Sequence, residues 1–259
     1  QNKTYFLSCL LLFRPLLINL DINGQYVNYL DYGNKKKDAI VLLHGWGQNI
    51  EMMQMLGEPF KNEYRIIIVD FPGFGLSPEP KRVMDVNDYT ILIEELLKKL
   101  KVKNPILIGH SFGGRVSVKF ASRNDVKKVI LLSPALRGHD KKGLKTKILK
   151  SLKKVPVIKN LEGWAKNHIG SRDYRAASPI MKDVLVKTVN EDLSEDAKKI
   201  KAPVILIYGN MDSEVPEEDT KEYERLIPDC GLILYDGCTH YAYLERLNQT
   251  INIINNFIR

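Results

Sequence analysis

Cysteine is scarce: the 259 residues hold three, Cys9, Cys230 and Cys238. Cys230 and Cys238 stand at either end of an apolar run, Leu232 to Tyr235, that reads as a strand. Eight residues of extended chain span roughly 26 Å, well beyond disulfide reach. A disulfide-stapled secreted scaffold is therefore excluded, and reduced thiols in a cytoplasmic setting are expected. Long hydrophobic runs are missing as well. Phe6 to Phe13 is apolar but is broken by Arg14-Pro15 before Leu16, Leu17 and Ile18, too short for a transmembrane helix. It also lacks the small-residue cleavage site of a signal peptide. Residues 1–23 are expected to form an arm or short helix packed on the domain, with an interfacial membrane anchor as the alternative. There are no internal repeats, low-complexity tracts or linkers. With 44% apolar and 27% charged residues, the chain reads as a soluble globular protein large enough for one sizeable domain.

Acidic residues are the scarcer sign, 31 against 39 basic ones, for a net charge of +8. Between Arg137 and His168 there are ten Lys/Arg against Asp140 and Glu162 alone, an excess equal to that of the whole chain. Leu144, Ile148, Leu152 and Val155 form an apolar stripe through this stretch. It reads first as a solvated cap helix with its stripe toward the site. Attraction of anionic substrates and docking on an anionic membrane surface are the sharper readings. No aromatic interleaving or reading motif accompanies the lysines, so nucleic acid is not an expected partner.

Apolar runs at Ala39–Leu43, Arg65–Val69, Ile106–Ile108, Val129–Leu132, Val204–Tyr208 and Leu232–Tyr235 read as strands. Gly24–Gly33 alternates like an antiparallel edge strand. Helices are expected between them: Ile50–Phe60, one opening at the N-cap Asp85, Glu217–Ile227, and a closing amphipathic helix through Leu244, Leu247, Ile251, Ile254 and Ile258. Strands alternating with helices imply right-handed crossovers and a mainly parallel sheet covered on both faces. Residues 135–202 break the rhythm with helical periodicity and no strand, and are expected to form a helical insertion. The core is then 24–134 with 203–259, and its site should lie beyond the carboxyl ends of the strands.

Gly109-His110-Ser111-Phe112-Gly113 follows a strand and opens a helix-compatible segment. That is the context of a G-x-S-x-G nucleophile elbow. Glycines on both sides let strand and helix approach while Ser111 holds a strained backbone. A serine hydroxyl needs a base, and the base an orienting acid. His240 sits in a loop between the last strand and the last helix. His44 follows a strand in a glycine turn, where backbone shaping is expected, and His110 points away from Ser111. His139 and His168 fall in the basic stretch. Asp212 lies four residues beyond Tyr208; Asp70 reads as shaping a Pro-Gly-x-Gly turn, and Glu214 is a weaker competitor. Ser111, Asp212 and His240 are thus the candidate catalytic residues. The amides of Trp46 and Phe112 are the candidate oxyanion hole, and the Trp46 indole is assigned either to the acyl pocket or to packing.

These segments resemble the α/β-hydrolase superfamily from about Gly24 to the C-terminus. The resemblance rests on His44-Gly45-Trp46-Gly47, Asp70 to Ser77, Gly109 to Gly114, Gly209 to Asp212 with Val215-Pro216, and His240. It implies an eight-stranded sheet, no cofactor or metal, and a lid after the sixth strand, here 135–202. A serine nucleophile sets the chain apart from haloalkane dehalogenases and epoxide hydrolases. It is similar to bacterial carboxylesterases and to meta-cleavage-product hydrolases, which cut a C–C bond in diketo acids. Arg172 and Arg175 would hold a substrate carboxylate in the latter case, with His44 and Tyr241 added to the pocket; Tyr241 stands where those enzymes carry tryptophan. The expectation is hydrolysis of a small carboxylic ester or thioester, with C–C hydrolysis or a slow-turnover ligand-binding protein as alternatives.

Overall fold

The computed structural model describes residues 18–138 and 177–259. In chain order the strands are β1 (Ile18–Ile22), β2 (Gln25–Gly33), β3 (Ala39–Leu43), β4 (Arg65–Val69), β5 (Ile106–His110), β6 (Lys128–Leu132), β7 (Val204–Gly209) and β8 (Cys230–Tyr235). The helices are α1 (Ile50–Gly57), α2 (Val86–Lys99), α3 (Phe112–Ala121), α4 (Pro179–Val189), α5 (Ser194–Ala197), α6 (Glu217–Leu226), α7 (Ala242–Glu245) and α8 (Leu247–Ile258). One eight-stranded sheet runs β1-β2-β4-β3-β5-β6-β7-β8. The β1–β2 and β2–β4 pairings are antiparallel, and all others are parallel. This is the α/β-hydrolase fold.

The strands are apolar throughout because both faces are covered. Ile40, Leu42, Ile66, Ile68, Ile106 and Ile108 pack toward α1, α7 and α8. Their alternates Val41, Leu43, Ile67, Val69 and Leu107 face α2, α3 and α6. Asp85 starts α2 as expected, in a reciprocal capping box: it accepts from the Asp88 amide at 2.8 Å while Asp88 accepts from the Asp85 amide at 3.0 Å.

Three expectations change. Of the expected arm, residues 1–17 lie outside the described residues; Ile18–Ile22 form β1, the first described strand of the sheet, and β2 lies inside the sheet instead of at its edge. The reason is local: Asn23-Gly24, both at positive φ (54° and 85°), close a two-residue hairpin between Ile22 and Gln25. The closing helix is two pieces, α7 and α8, separated at Arg246. The segment expected as helix over Ile50–Phe60 tightens to a 3-10 turn at Glu58–Phe60. Of the insertion expected at 135–202, residues 139–176 lie outside the described residues, and with them His139, His168, Arg172, Arg175, the apolar stripe and the basic stretch beyond Arg137. Residues 177–202 carry α4 and α5, whose Met181, Val184, Ala197 and the following Ile200 are buried in the α2–α3 face. Arg115 of α3 bolts this part down, donating to the carbonyls of Ala135 at 2.6 Å and Thr188 at 3.0 Å.

Candidate active site

Ser111 joins β5 to α3 at φ 48° and ψ −109°, a conformation a residue with a Cβ adopts only under constraint. The constraint is visible on both sides. The Ser111 amide donates to the Leu132 carbonyl of β6 at 2.8 Å, and the Gly113 amide donates to the His44 carbonyl at 3.0 Å. A Cβ on Gly113 would stand 2.2 Å from the Leu43 carbonyl oxygen, so only glycine lets α3 start this close to β3. The Ser111 hydroxyl makes no hydrogen bond among the described residues.

The loop after β7 and the loop after β8 are laced together: the Asn210 amide donates to the Tyr235 carbonyl at 3.1 Å and the Met211 amide to the Cys238 carbonyl at 2.9 Å. This lacing brings Asp212 to His240. Their side chains are 3% and 6% exposed, with His240 Nδ1 at 2.8 Å from Asp212 Oδ2. The other carboxylate oxygen accepts from the Glu214 amide at 2.8 Å and the Val215 amide at 3.0 Å. Burial alone would raise the Asp212 pKa; the His240 hydrogen bond and charge and the two amides outweigh it and hold it below its ordinary value. Asp212 therefore stays ionised and fixes the His240 proton on Nδ1, leaving Nε2 as the basic nitrogen. Glu214, the competing acid, stands instead on the Nε2 side at 3.7 Å with its side chain 57% exposed.

The Trp46 and Phe112 amides have no acceptor among the described residues. Phe112 begins α3, so its N–H has no partner within the helix. The Trp46 ring packs edge-on against Phe74 (4.8 Å between centroids) and Phe112 (5.8 Å), which gives the indole a packing role.

His44 belongs to the scaffold and leaves the pocket it was assigned to. It is fully buried, its Nε2 accepts from the Phe71 amide at 3.0 Å, and its Nδ1 lies 2.6 Å from the Gly45 carbonyl. Burial drives its pKa to about 4 against the opposing effects of Gly45 and Asp70, so the ring is neutral with Nδ1 protonated. Asp70 shapes its turn, accepting from Asn28 Nδ2 at 2.7 Å and from the amides of Ile50 and Leu76 at 2.8 and 2.9 Å. Tyr241 is 39% exposed with its ring 5.7 Å from that of His240, at the edge of the site. Gln48 is absent from the sequence reading, and His110 enters it only as a ring pointing away from Ser111. Gln48, buried in the loop after Trp46, bonds the Gly45 amide at 2.9 Å, and His110 stands against His240 with ring centroids 4.9 Å apart. The Gln48–Gly45 bond is local, three residues apart, whereas the approach of His110 Nδ1 to Gln48 Oε1 at 3.0 Å is contributed by the fold.

Among the described residues no three His, Cys, Asp or Glu side chains are grouped to hold a metal, and no helix is long and apolar enough to cross a membrane. Cys230 and Cys238 are free thiols.

The Hydrolase_4 family, described as serine aminopeptidase, S33, matches residues 34–246. The chain belongs to that family of α/β hydrolases. It is an enzyme of the serine-hydrolase type. It is 26% identical over 244 residues to the AB hydrolase superfamily protein YisY of Bacillus subtilis, covering 84% of this chain and 90% of that one. It is 22% identical to the pimeloyl-[acyl-carrier protein] methyl ester esterase of Aliivibrio fischeri, covering 85% and 93%. Among solved structures, a bacterial membrane phospholipase A superposes with a TM-score of 0.76 at 21% identity, over 94% of this chain and 85% of that one. At that identity the likeness speaks for the fold alone.

Proposed function

We propose that this hydrolase cleaves a small carboxylic ester or thioester through an acyl-enzyme on Ser111. The observation that carries the reading is the buried His240–Asp212 pair, 2.8 Å apart, at the same edge of the sheet as the strained Ser111. Relatives named as methyl ester esterases support an ester as substrate. Ser111 Oγ attacks the carbonyl carbon, and His240 Nε2 takes the hydroxyl proton. Asp212 holds the ring and balances the imidazolium. The Trp46 and Phe112 amides donate to the oxyanion. Collapse expels the alcohol or thiol, which leaves with the proton from His240. Water, activated by the same nitrogen, then hydrolyses the acyl-enzyme. In the free chain Ser111 Oγ and His240 Nε2 are not hydrogen-bonded; catalytic contacts of this kind commonly tighten only around bound substrate.

A fluorophosphonate probe tests the reading. It is expected to label the wild-type protein on Ser111 and to leave Ser111→Ala unlabelled, with turnover of a short-chain ester panel lost in parallel. Equal labelling of both proteins, or ester turnover that survives in Ser111→Ala, would overturn it.

A further inference from the structure

His110 precedes the elbow serine, takes no part in the proton transfers above, and is 1% exposed. Its ring stands between two loops that approach the elbow from opposite sides. Nδ1 lies 3.0 Å from Gln48 Oε1, in the loop that carries Trp46. Nε2 lies 3.1 Å from the main-chain carbonyl of His240. The packing is tight: a Cβ on Gly45 would come within 2.6 Å of His110 Nδ1, and the rings of His240 and Tyr243 stand 4.9 and 4.7 Å away.

Both ring nitrogens face oxygen acceptors, and a neutral imidazole has one N–H to donate. Burial depresses the pKa of His110 to about 3, with the charge of His240 adding to the effect, so the ring is neutral at ordinary pH. The two acceptors are not equivalent. Gln48 Oε1 already receives the Gly45 amide at 2.9 Å. The His240 carbonyl receives no backbone N–H among the described residues, and a buried carbonyl left without a donor is destabilising. That accounting puts the proton on Nε2.

Resting on the serine-hydrolase reading, we propose that His110 is a positioning residue: its Nε2–H holds the His240 carbonyl and thereby sets the imidazole of His240 relative to Ser111. His110 takes no part in the proposed proton transfers. It acts through the backbone of the residue that moves the proton, and through Gln48 it ties the same ring to the oxyanion loop. A misplacement of about 1 Å in such machinery can cost on the order of 100-fold in rate.

Three substitutions separate the two arms of the ring. Glutamine carries an amide nitrogen at the reach of Nε2, asparagine carries one at the reach of Nδ1, and leucine carries neither. Rates are taken per active site titrated with the fluorophosphonate, so misfolded protein does not enter the comparison. His110→Gln is expected to retain kcat within about threefold, whereas His110→Asn and His110→Leu lose roughly 30-fold in kcat with KM within about twofold. Wild-type kcat in His110→Leu overturns the proposal. So does equal damage in the glutamine and leucine forms, which would make ring bulk the cause, or a loss expressed in KM. Retention by asparagine with loss by glutamine would assign the work to the Gln48 arm and overturn it too. A wild-type protein that neither labels nor hydrolyses esters removes the enzymatic reading and this inference together; an active wild type with an indifferent His110 removes the inference alone.

Discussion

On the β3–β5 side of Ser111 the groups of the proposed mechanism are main-chain amides. Trp46 and Phe112 are aimed by a glycine turn, by the Gly113–His44 backbone bond and by the start of α3. On the β7–β8 side they are side chains: a carboxylate with three hydrogen bonds and an imidazole, both buried. The first half depends on how closely two elements approach and tolerates many side chains at the donor positions themselves. The second depends on two particular functional groups and on the charge state of each. One half is vulnerable to added volume, the other to lost chemistry.

Substitutions break this comparison in order of size. Asp212→Asn leaves a group of the same shape but removes the charge and the preference for the Nδ1–H tautomer, so kcat toward esters is expected to fall about 10⁴-fold. Secondary structure should change little. A loss of less than about tenfold would mean that Glu214 or another carboxylate does the orienting. Gly113→Ala attacks the other half. Its methyl group has no room against Leu43 and His44, so α3 must shift, and a loss of several kcal/mol of stability is expected from denaturant titration. Unchanged stability with full activity would show that the close approach is not required.

The smallest effect is a difference in pH window. His44 is protonated near its ordinary 6.5 when unfolded and only near about 4 when folded. Between those values the unfolded chain holds more protons, so stability rises with pH and falls on acidification. The slope approaches about 1.4 kcal/mol per pH unit for each such histidine. His110, driven to about 3, adds to the same window. Asp212 is depressed below its ordinary 3.8, so its contribution persists above that pH and is lost only as pH falls further. Denaturant titrations between pH 4 and 7 should therefore decline toward acid through the histidines, before Asp212 titrates. A flat profile over that range would contradict two neutral buried rings.

Much of this was legible along the chain. Runs such as Ile66–Val69 and Ile106–Ile108 announce strands covered on both faces, because they are short, unbroken and rich in β-branched residues. Asp85 marked the start of α2 because a capping box is a local contact between residues three apart. The elbow, the Asp70 turn and the placement of Asp212 and His240 just beyond strand ends were equally local. The Asn23-Gly24 hairpin was legible too, but the apolar residues before it drew that stretch toward an arm.

The rest was decided by groups that are distant in sequence. Asp212 and Glu214 are two residues apart and chemically alike; only the lacing of the β7 and β8 loops put one beside Nδ1 and the other on the Nε2 side. His44 was expected to shape the backbone, but its actual partner, the Phe71 amide, lies 27 residues away. Short-range spacing thus marked the strand–helix alternation of a mainly parallel sheet and singled out three candidate residues. The choice between like groups, and the neutral state of His44 and His110, came from tertiary structure. Burial and hydrogen-bond partners are properties of the assembled neighbourhood, not of the residue that feels them.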